Sequence, residues 1–412
     1  MTSLRVSLNN MAVGTLTQLP SGGIFFAFDE AYLNAADRPV LSQSFFRPSG
    51  EIIPESKSSA RTLPAFFSNL LPEGQMRDYL AKLGGIKPSH EFRLIELLGQ
   101  DLPGAVIVTP MDGVVIDAPA PEDTEFEKPL APLRFSLAGV QLKFSAIMAK
   151  RGGLAIPASG MGGDWIVKLP SHNYPNVPEN EFAMISLASH VGIPVPEIRL
   201  VPLVEIGNLP EMGVLAGSQA LAVRRFDRST IEDGGERRIH IEDFAQVYNI
   251  RPGKKYEAVS YAGIAGMVWQ LTGESGLRDF IRRLTFCILV GNGDMHLKNW
   301  SFLYEDGKTP ALTPAYDLLS TIPYIPQDGL ALNLSGEKDM HLIGMEHFRK
   351  LASRAQVPEF MVLQTVRDTM AATFAAWNEY GRHYDLSTDI RNAIQKHMDS
   401  VRLAKTPSTT PP

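Results

Sequence analysis

Residues 4–8, Leu-Arg-Val-Ser-Leu, alternate apolar and polar side chains, and the alternation returns in part over 13–19. A period of two puts one face of a strand against a core. Asn9 and Asn10 between the two runs suit a tight turn, so the pattern predicts a β-hairpin. Gly22-Gly23 then leads into Ile-Phe-Phe-Ala-Phe, a further strand, and 104–109 reads as another. Between them 63–83 and 91–100 carry helical patterns. Residues 111–132 are rich in Pro, Asp and Glu and read as a linker.

A second β-rich stretch follows. Arg134 to Met148 holds a turn at 137–141 between strand-like flanks, and Trp165 to Leu169, Ile198 to Val204 and Ala220 to Phe226 read as strands. Asn180 to Val191 reads as an amphipathic helix stopped by Gly192 and Pro194. After about residue 230 the strands thin out. Apolar residues at 277, 280, 281, 284 and 288 repeat with the helical period, and 357–379 and 386–403 predict two more helices. The layout predicts an α+β chain: a β-rich N-terminal subdomain (1–112), a β-rich small lobe (113–228), a helical large lobe (229–405) and a Ser/Thr/Pro-rich disordered tail (406–412).

Composition narrows the function classes. The chain has 412 residues, enough to bury a large core, and 44% of them are hydrophobic. Its net charge of -6 argues against a surface that binds nucleic acid throughout, since phosphate neutralisation needs clustered Lys and Arg. No apolar run approaches the roughly 18 residues of a membrane helix, and no basic and apolar leader opens the chain. We therefore expect a cytoplasmic protein that does not engage membranes. Cys287 is the one cysteine; set in Phe-Cys-Ile-Leu-Val, it reads as a small buried hydrophobe.

Candidate chemistry concentrates in 291–299, Gly-Asn-Gly-Asp-Met-His-Leu-Lys-Asn. An Asp and an Asn five positions apart, Asp294 and Asn299, are spaced as in a phosphoryl-transfer loop: the Asp orients the attacking hydroxyl and the Asn oxygen holds a metal. Gly293 and His296 extend the pattern to G-D-x-H-x-x-N. The bland alternative is a polar helix end. Asp317, in Thr-Pro-Ala-Tyr316-Asp317, lies where a second metal carboxylate is wanted; the alternative is a turn aspartate after Pro314. Lys168 sits in an apolar strand and could reach phosphates, with Glu181 as its partner; a solvated lysine on an edge strand is the alternative. The turn from Ser136 to Lys143 holds a single glycine and is no Walker loop, yet its place before Lys168 suits a phosphate-covering turn rather than a plain hairpin. Arg224, Arg225 and Phe226, at the exit of the 220–226 strand, could form an adenine-binding hinge or an ordinary basic turn.

The ordered set Ser136-Leu-Ala-Gly-Val-Gln, Ile-Val-Lys168-Leu-Pro, Glu179-Asn-Glu181, Ala-Val-Arg-Arg-Phe-Asp-Arg, Gly-Asp294-Met-His-Leu-Lys-Asn299 and Thr-Pro-Ala-Tyr-Asp317 resembles the HipA family, and does so over nearly the whole chain. These are serine/threonine-kinase toxins of bacterial type II toxin–antitoxin modules. The resemblance implies a bilobal protein-kinase/PI3-kinase-like fold and an ATP- and Mg²⁺-dependent transferase. Asp294 would be the catalytic base, and Asn299 and Asp317 would hold Mg²⁺. The nucleotide would contact Lys168, the turn of Ala138, Gly139, Val140, Gln141, Leu142 and Lys143, the hinge Arg224–Phe226, the loop residues His296, Leu297 and Lys298, and Tyr316. Ser136 would be an autophosphorylation site that switches the enzyme off. The implied target is an aminoacyl-tRNA synthetase, glutamyl-tRNA synthetase above all, whose modification arrests growth and favours persistence. The implied partner is a HipB-like helix-turn-helix antitoxin, through which operator DNA is met. Leu142 stands where the family turn often carries an acidic residue, and Arg224 where the hinge often carries Glu. A small-molecule phosphotransferase of the aminoglycoside type shares the G-D-x-H-x-x-N loop. A catalytically silent kinase-fold binding module is the third reading.

Overall fold

The structure is a computed structural model that describes residues 1–58, 62–111, 142–148, 154–157, 162–209, 215–230 and 236–405. The expected linker over 112–132, Ser136, Ala138, Gly139, Val140, Gln141 and the tail 406–412 lie outside the described residues. The chain divides into two compact units. The first is Met1–Leu142, Asp227–Lys254 and Leu303–Thr309; the second is Lys143–Phe226, Lys255–Phe302 and Pro310–Pro412. Both mix strands and helices, so the α+β class expected from the sequence holds.

In the first unit, β1 (Thr2–Leu8), β2 (Met11–Gln18), β3 (Ile24–Phe28), β4 (Glu55–Ser58) and β5 (Val106–Pro110) form an antiparallel sheet in the order β4-β3-β2-β1-β5. Asn9 and Asn10 both take left-handed φ, +48° and +67°, the conformation that a two-residue hairpin turn needs to match strand twist. Alternation does the rest: Leu4, Val6 and Leu8 are fully buried on one face of β1. Phe26 centres the core, its ring 4.8 Å from Phe28, 4.9 Å from Phe67 and 5.7 Å from Phe45.

Helices α1 (Glu30–Asn34), α2 (Ala65–Leu70), α3 (Gly74–Leu83) and α4 (Glu91–Leu98) complete this layer. The helical pattern over 63–83 is thus two helices, because Pro72 forces Leu71 to extended backbone, ψ 148°. The strands after residue 226 are too short to announce themselves. Arg228–Thr230 pairs antiparallel with Glu236–Arg238, and His240–Asp243 follows. Arg228 is buried; its guanidinium donates to the Asp227 carboxylate (2.8 Å), the Asp101 carboxylate (3.1 Å) and the Gly104 carbonyl (2.8 Å). The basic segment after Phe226 is therefore an anchor within the first unit rather than a solvated loop.

In the second unit, β6 (Lys143–Met148), β7 (Leu154–Ala155), β8 (Trp165–Lys168), β9 (Ile198–Pro202), β10 (Ile206–Gly207) and β11 (Gln219–Arg224) form a sheet in the order β10-β7-β6-β8-β11-β9. Strand β8 is central, paired with β6 and β11. The helices are α5 (Val177–His190), α6 (Tyr261–Val290), α7 (Met345–Ala355), α8 (Glu359–Tyr380) and α9 (Thr388–Ser400). Helix α6 runs a full half longer than the apolar period predicts, because Gly273 (φ +67°, ψ -153°) breaks it and resets the phase of its buried stripe. Its C-terminus is closed by Gly291 in the left-handed conformation, where the Gly291 and Asn292 N–H groups both meet the Cys287 carbonyl. Cys287 is buried as expected, and burial pushes its thiol up to about 12, which leaves it protonated and inert. Among the described residues no helix is long and apolar enough to cross a membrane.

Glu242, fully buried in the first unit, accepts hydrogen bonds from the Ser42 and Tyr304 hydroxyls and the Gln43 N–H (3.1 Å). Burial nevertheless raises its carboxyl to about 7 from an ordinary 4.5. The native state then holds a proton that the unfolded chain releases above that ordinary value, so the stability Glu242 contributes is full below pH 4.5 and is lost as pH rises through about 7. The melting temperature of the wild type should accordingly fall, relative to that of Glu242→Gln, between pH 5 and pH 8; parallel profiles for the two proteins would refute this.

Candidate active site

The site begins with a lysine in the wrong place for a lysine. Lys168 ends the central strand β8 with its side chain 6% exposed, so it is not the solvated residue of an edge strand. A buried ammonium needs partners. Glu181, in the N-terminal half of α5, supplies one, and Asp317 supplies the other. Lys143 lies directly across from Lys168 on β6, and its ammonium reaches the second Asp317 oxygen at 3.0 Å. Burial alone would lower the Lys168 pKa, but the carboxylates of Asp317 and Glu181 hold it above the ordinary lysine value. Burial likewise would raise Asp317; the two ammoniums overcome this and keep the carboxyl well below the usual range. Asp317 takes a left-handed φ of +53°, which a short polar side chain tolerates.

Helix α5 is aimed by its first turn. Pro178 suits the helix start, and Glu179, Asn180 and Glu181 are all buried. Asn180 clasps the segment after Asp317: its Nδ2 donates to the Ser320 carbonyl (2.9 Å), and the Ser320 N–H donates to its Oδ1 (3.1 Å). Asn180 thereby ties the partner of Lys168 to the chain that carries the other partner.

The 291–299 loop leaves the left-handed cap of α6 and is held from several sides. The Gly293 N–H donates to Thr321 Oγ1 (3.0 Å), and the Thr321 hydroxyl bonds Asp328. Asp294 is buried; its backbone N–H meets Asn292 Oδ1 (3.0 Å), and its carboxylate accepts from the Tyr256 hydroxyl (2.8 Å). Burial raises the Asp294 carboxyl to about 7; Tyr256 and Lys255 pull it down in part, and the charges of Asp317 and Asp328 add to the rise. Tyr261 and Trp300 both donate to the Met295 carbonyl, at 3.0 and 3.3 Å. Leu297–Asn299 is a single 3₁₀ turn, and His296, Leu297 and Asn299 are buried. Asn299 Nδ2 donates to the Asp294 carbonyl (2.8 Å), which locks the Asp-to-Asn spacing and leaves Oδ1 as the end available to a cation. The Tyr316 hydroxyl donates to the Lys298 carbonyl (2.9 Å), and its ring lies 5.7 Å from Phe226 at 38°.

The remaining expected contacts are placed as follows. Leu142 is buried just before β6. Arg224 is exposed and pairs with Glu197 (3.3 Å), while Arg225 is buried. The N–H groups of both are spent within the sheet, on the carbonyls of Glu197 and Asp164 at 2.8 Å each. Of the expected hinge, Phe226 is left with a half-buried aromatic face. Lys168, Glu181, Asp294, Asn299, Tyr316 and Asp317 all lie in the second unit. Among the described residues no group of three or more His, Cys, Asp and Glu side chains could form an all-protein metal cage. Mg²⁺ does not ask for one: it keeps waters and takes one or two protein oxygens beside substrate phosphates, a donor set that Asp317 and Asn299 fit.

The contacts of Asn180, Thr321, Tyr256 and the Lys143–Asp317 pair do not follow from the sequence, since they act across 28 to 174 positions in the chain, where periodicity carries no signal; nor does the part of Asp328, which joins the loop through Thr321. Gly293 carries its own test. A Cβ there would lie 2.1 Å from Asp328 Oδ2 and 2.7 Å from the Gly329 carbonyl. Gly293→Ala should therefore lower the melting temperature by several degrees, on the order of 1–3 kcal/mol for overpacking. Asp328→Ala should recover part of the loss in the double variant; strict additivity of the two losses would contradict the close contact.

Comparison with known proteins gives consistent results. The family model described as HipA-like C-terminal domain matches residues 135–377, and that described as HipA N-terminal domain matches residues 4–109. The candidate kinase Y4dM of Sinorhizobium fredii is 48% identical over 408 residues, 98% of this chain and 98% of that protein. The serine/threonine-protein kinase toxin HipA of Shewanella oneidensis is 28% identical over 335 residues, 73% of each. Among solved structures, the complex of Shewanella oneidensis HipA, HipB and operator DNA contains a chain that matches with a TM-score of 0.74 at 21% identity, covering 97% of this chain and 95% of that one. The fold is the bilobal, α+β kinase-like fold expected from the sequence.

Proposed function

The chain belongs to the HipA family, and on that premise we propose that it is an ATP- and Mg²⁺-dependent serine/threonine-protein kinase. The observation that carries this reading is the buried Lys168 held between Glu181 and Asp317, together with a buried Asp294. A fixed ammonium, two hard-oxygen donors and a carboxylate of suitable basicity are what phosphoryl transfer asks of a protein. In this reading Asp294 takes the proton of the acceptor hydroxyl as its oxygen attacks the terminal phosphorus of ATP and the bond to the ADP oxygen breaks. A carboxyl raised to about 7 is matched to that task near neutral pH, since it is ionised in a useful fraction and binds the proton readily. Lys168 and Lys143 meet the phosphate charge. Asp317 and Asn299 Oδ1 would hold Mg²⁺, which would supply positive charge to the phosphates. Adenine rests on the aromatic face of Phe226 beside Tyr316, with the spent N–H groups of Arg224 and Arg225 taking no part.

The same reading extends to the role in the cell. The acceptor is a protein, an aminoacyl-tRNA synthetase such as glutamyl-tRNA synthetase, and its modification halts translation and growth. The structural relative from Shewanella oneidensis is described as a complex with HipB and operator DNA, which supports a HipB-like helix-turn-helix antitoxin as partner and contact with DNA through it. Ser136 is the proposed autophosphorylation site, and the turn from Ala138 to Lys143 the phosphate cover.

Incubation with γ-labelled ATP, Mg²⁺ and a bacterial lysate tests the proposal. The wild type should label a protein of synthetase size, and Asp294→Ala and Asp317→Ala should each lower that labelling by about 100-fold or more, the scale of a general base or a metal ligand. Label on small molecules alone would favour a small-molecule phosphotransferase. Full activity in either variant would sink the assignment.

A further inference from the structure

Residues 255–256 form a strap that lies against the loop carrying Asp294. The Leu297 N–H donates to the Lys255 carbonyl at 3.3 Å, which ties the strap to the loop by its backbone. The Tyr256 hydroxyl donates to Asp294 Oδ1 at 2.8 Å. The phenol ring meets the His296 ring edge-on, centroids 4.9 Å apart at 80°, so the ring is fixed by the same loop that its hydroxyl addresses. Lys255 is buried alongside, its ammonium 5.6 Å from the Tyr256 ring. All of these groups lie in the second unit.

A carboxylate that receives a proton must keep one oxygen turned toward the acceptor. Nothing in an aspartate side chain does this by itself, since its terminal torsion is broad. A donor fixed on one oxygen removes that freedom and presents the other. We propose that Tyr256 is a positioning residue: its hydroxyl anchors Asp294 Oδ1, so that Oδ2 is the oxygen that faces the acceptor hydroxyl. As a donor in this bond, the phenol does not take the proton itself. This inference rests on the reading of Asp294 as the base, and it adds a residue that the spacing of the 291–299 loop does not contain.

A double-variant cycle tests it with full-length wild type, Tyr256→Phe, Asp294→Ala and the double variant. Phenylalanine keeps the ring on His296 and removes only the hydroxyl. The first readout is melting temperature without nucleotide. The shift caused by Tyr256→Phe in the wild-type background should vanish in the Asp294→Ala background; equal shifts in both would overturn the proposal. The second readout is transfer of label from ATP to lysate protein, with ATP affinity measured separately. Tyr256→Phe should slow transfer by about 10- to 100-fold, the range of one hydrogen bond to a charged group, at unchanged ATP affinity. A wild-type rate, or a loss of ATP affinity equal to the loss of rate, would overturn it. Should Asp294→Ala transfer label as the wild type does, the functional reading falls, and the melting cycle alone still decides whether Tyr256 holds that carboxylate.

Discussion

A buried ammonium organises the second unit. Taking Lys168 out of water costs several kcal/mol unless oxygen charges meet it. Three parts of the chain are arranged to meet that demand. Strand β8 is central, which removes the option of solvating the lysine at an edge. Helix α5 is placed so that Glu181, in its N-terminal half, reaches the lysine. The backbone turns left-handed at Asp317 so that its carboxylate lies against both Lys168 and Lys143. Removing any one of these partners leaves an uncompensated charge in a dry place, and that is why the arrangement specifies the position of each element so tightly.

The loop that bears Asp294 answers a different constraint, that of holding a carboxylate nearly out of water. Its backbone is fastened through Asn292, Thr321 and Asn299, and its side chain by Tyr256. Gly293 is required because the Asp328 carboxylate and the Gly329 carbonyl occupy the space a side chain would need. The rigidity comes from hydrogen bonds across distant segments, while the elevated affinity of Asp294 for a proton comes mainly from burial. One loop therefore combines precise placement with a tuned carboxyl, the two properties a general base needs.

Local features of this chain were legible because their causes are local. The alternation in 4–8 and the asparagine pair gave the first hairpin, and the period of Leu277 to Ile288 gave the second half of α6. The Asp294-to-Asn299 spacing was readable because Asn299 bonds the Asp294 carbonyl five residues back. The break at Gly273 hides the first half of α6, and the split of 63–83 rests on a single residue, Pro72, inside an otherwise helical pattern. The clasp of Asn180 on Ser320, 140 positions away, and the reach of Lys143 to Asp317, 174 positions away, depend on how the sheet and helices come together. No periodicity encodes such contacts. Nor does the sequence say that the Arg224 and Arg225 N–H groups are consumed within the sheet, since that follows from the register of β11 with its neighbours.

In the proposed kinase the Lys168–Asp317 pair marks the nucleotide and metal site. Calorimetric titration of ATP into the wild type and Asp317→Asn, each with and without Mg²⁺, addresses it most directly. Mg²⁺ should tighten ATP binding to the wild type, and this gain should disappear in Asp317→Asn. Equal ATP affinity of the wild type with and without Mg²⁺, or an undiminished gain in the variant, would contradict it.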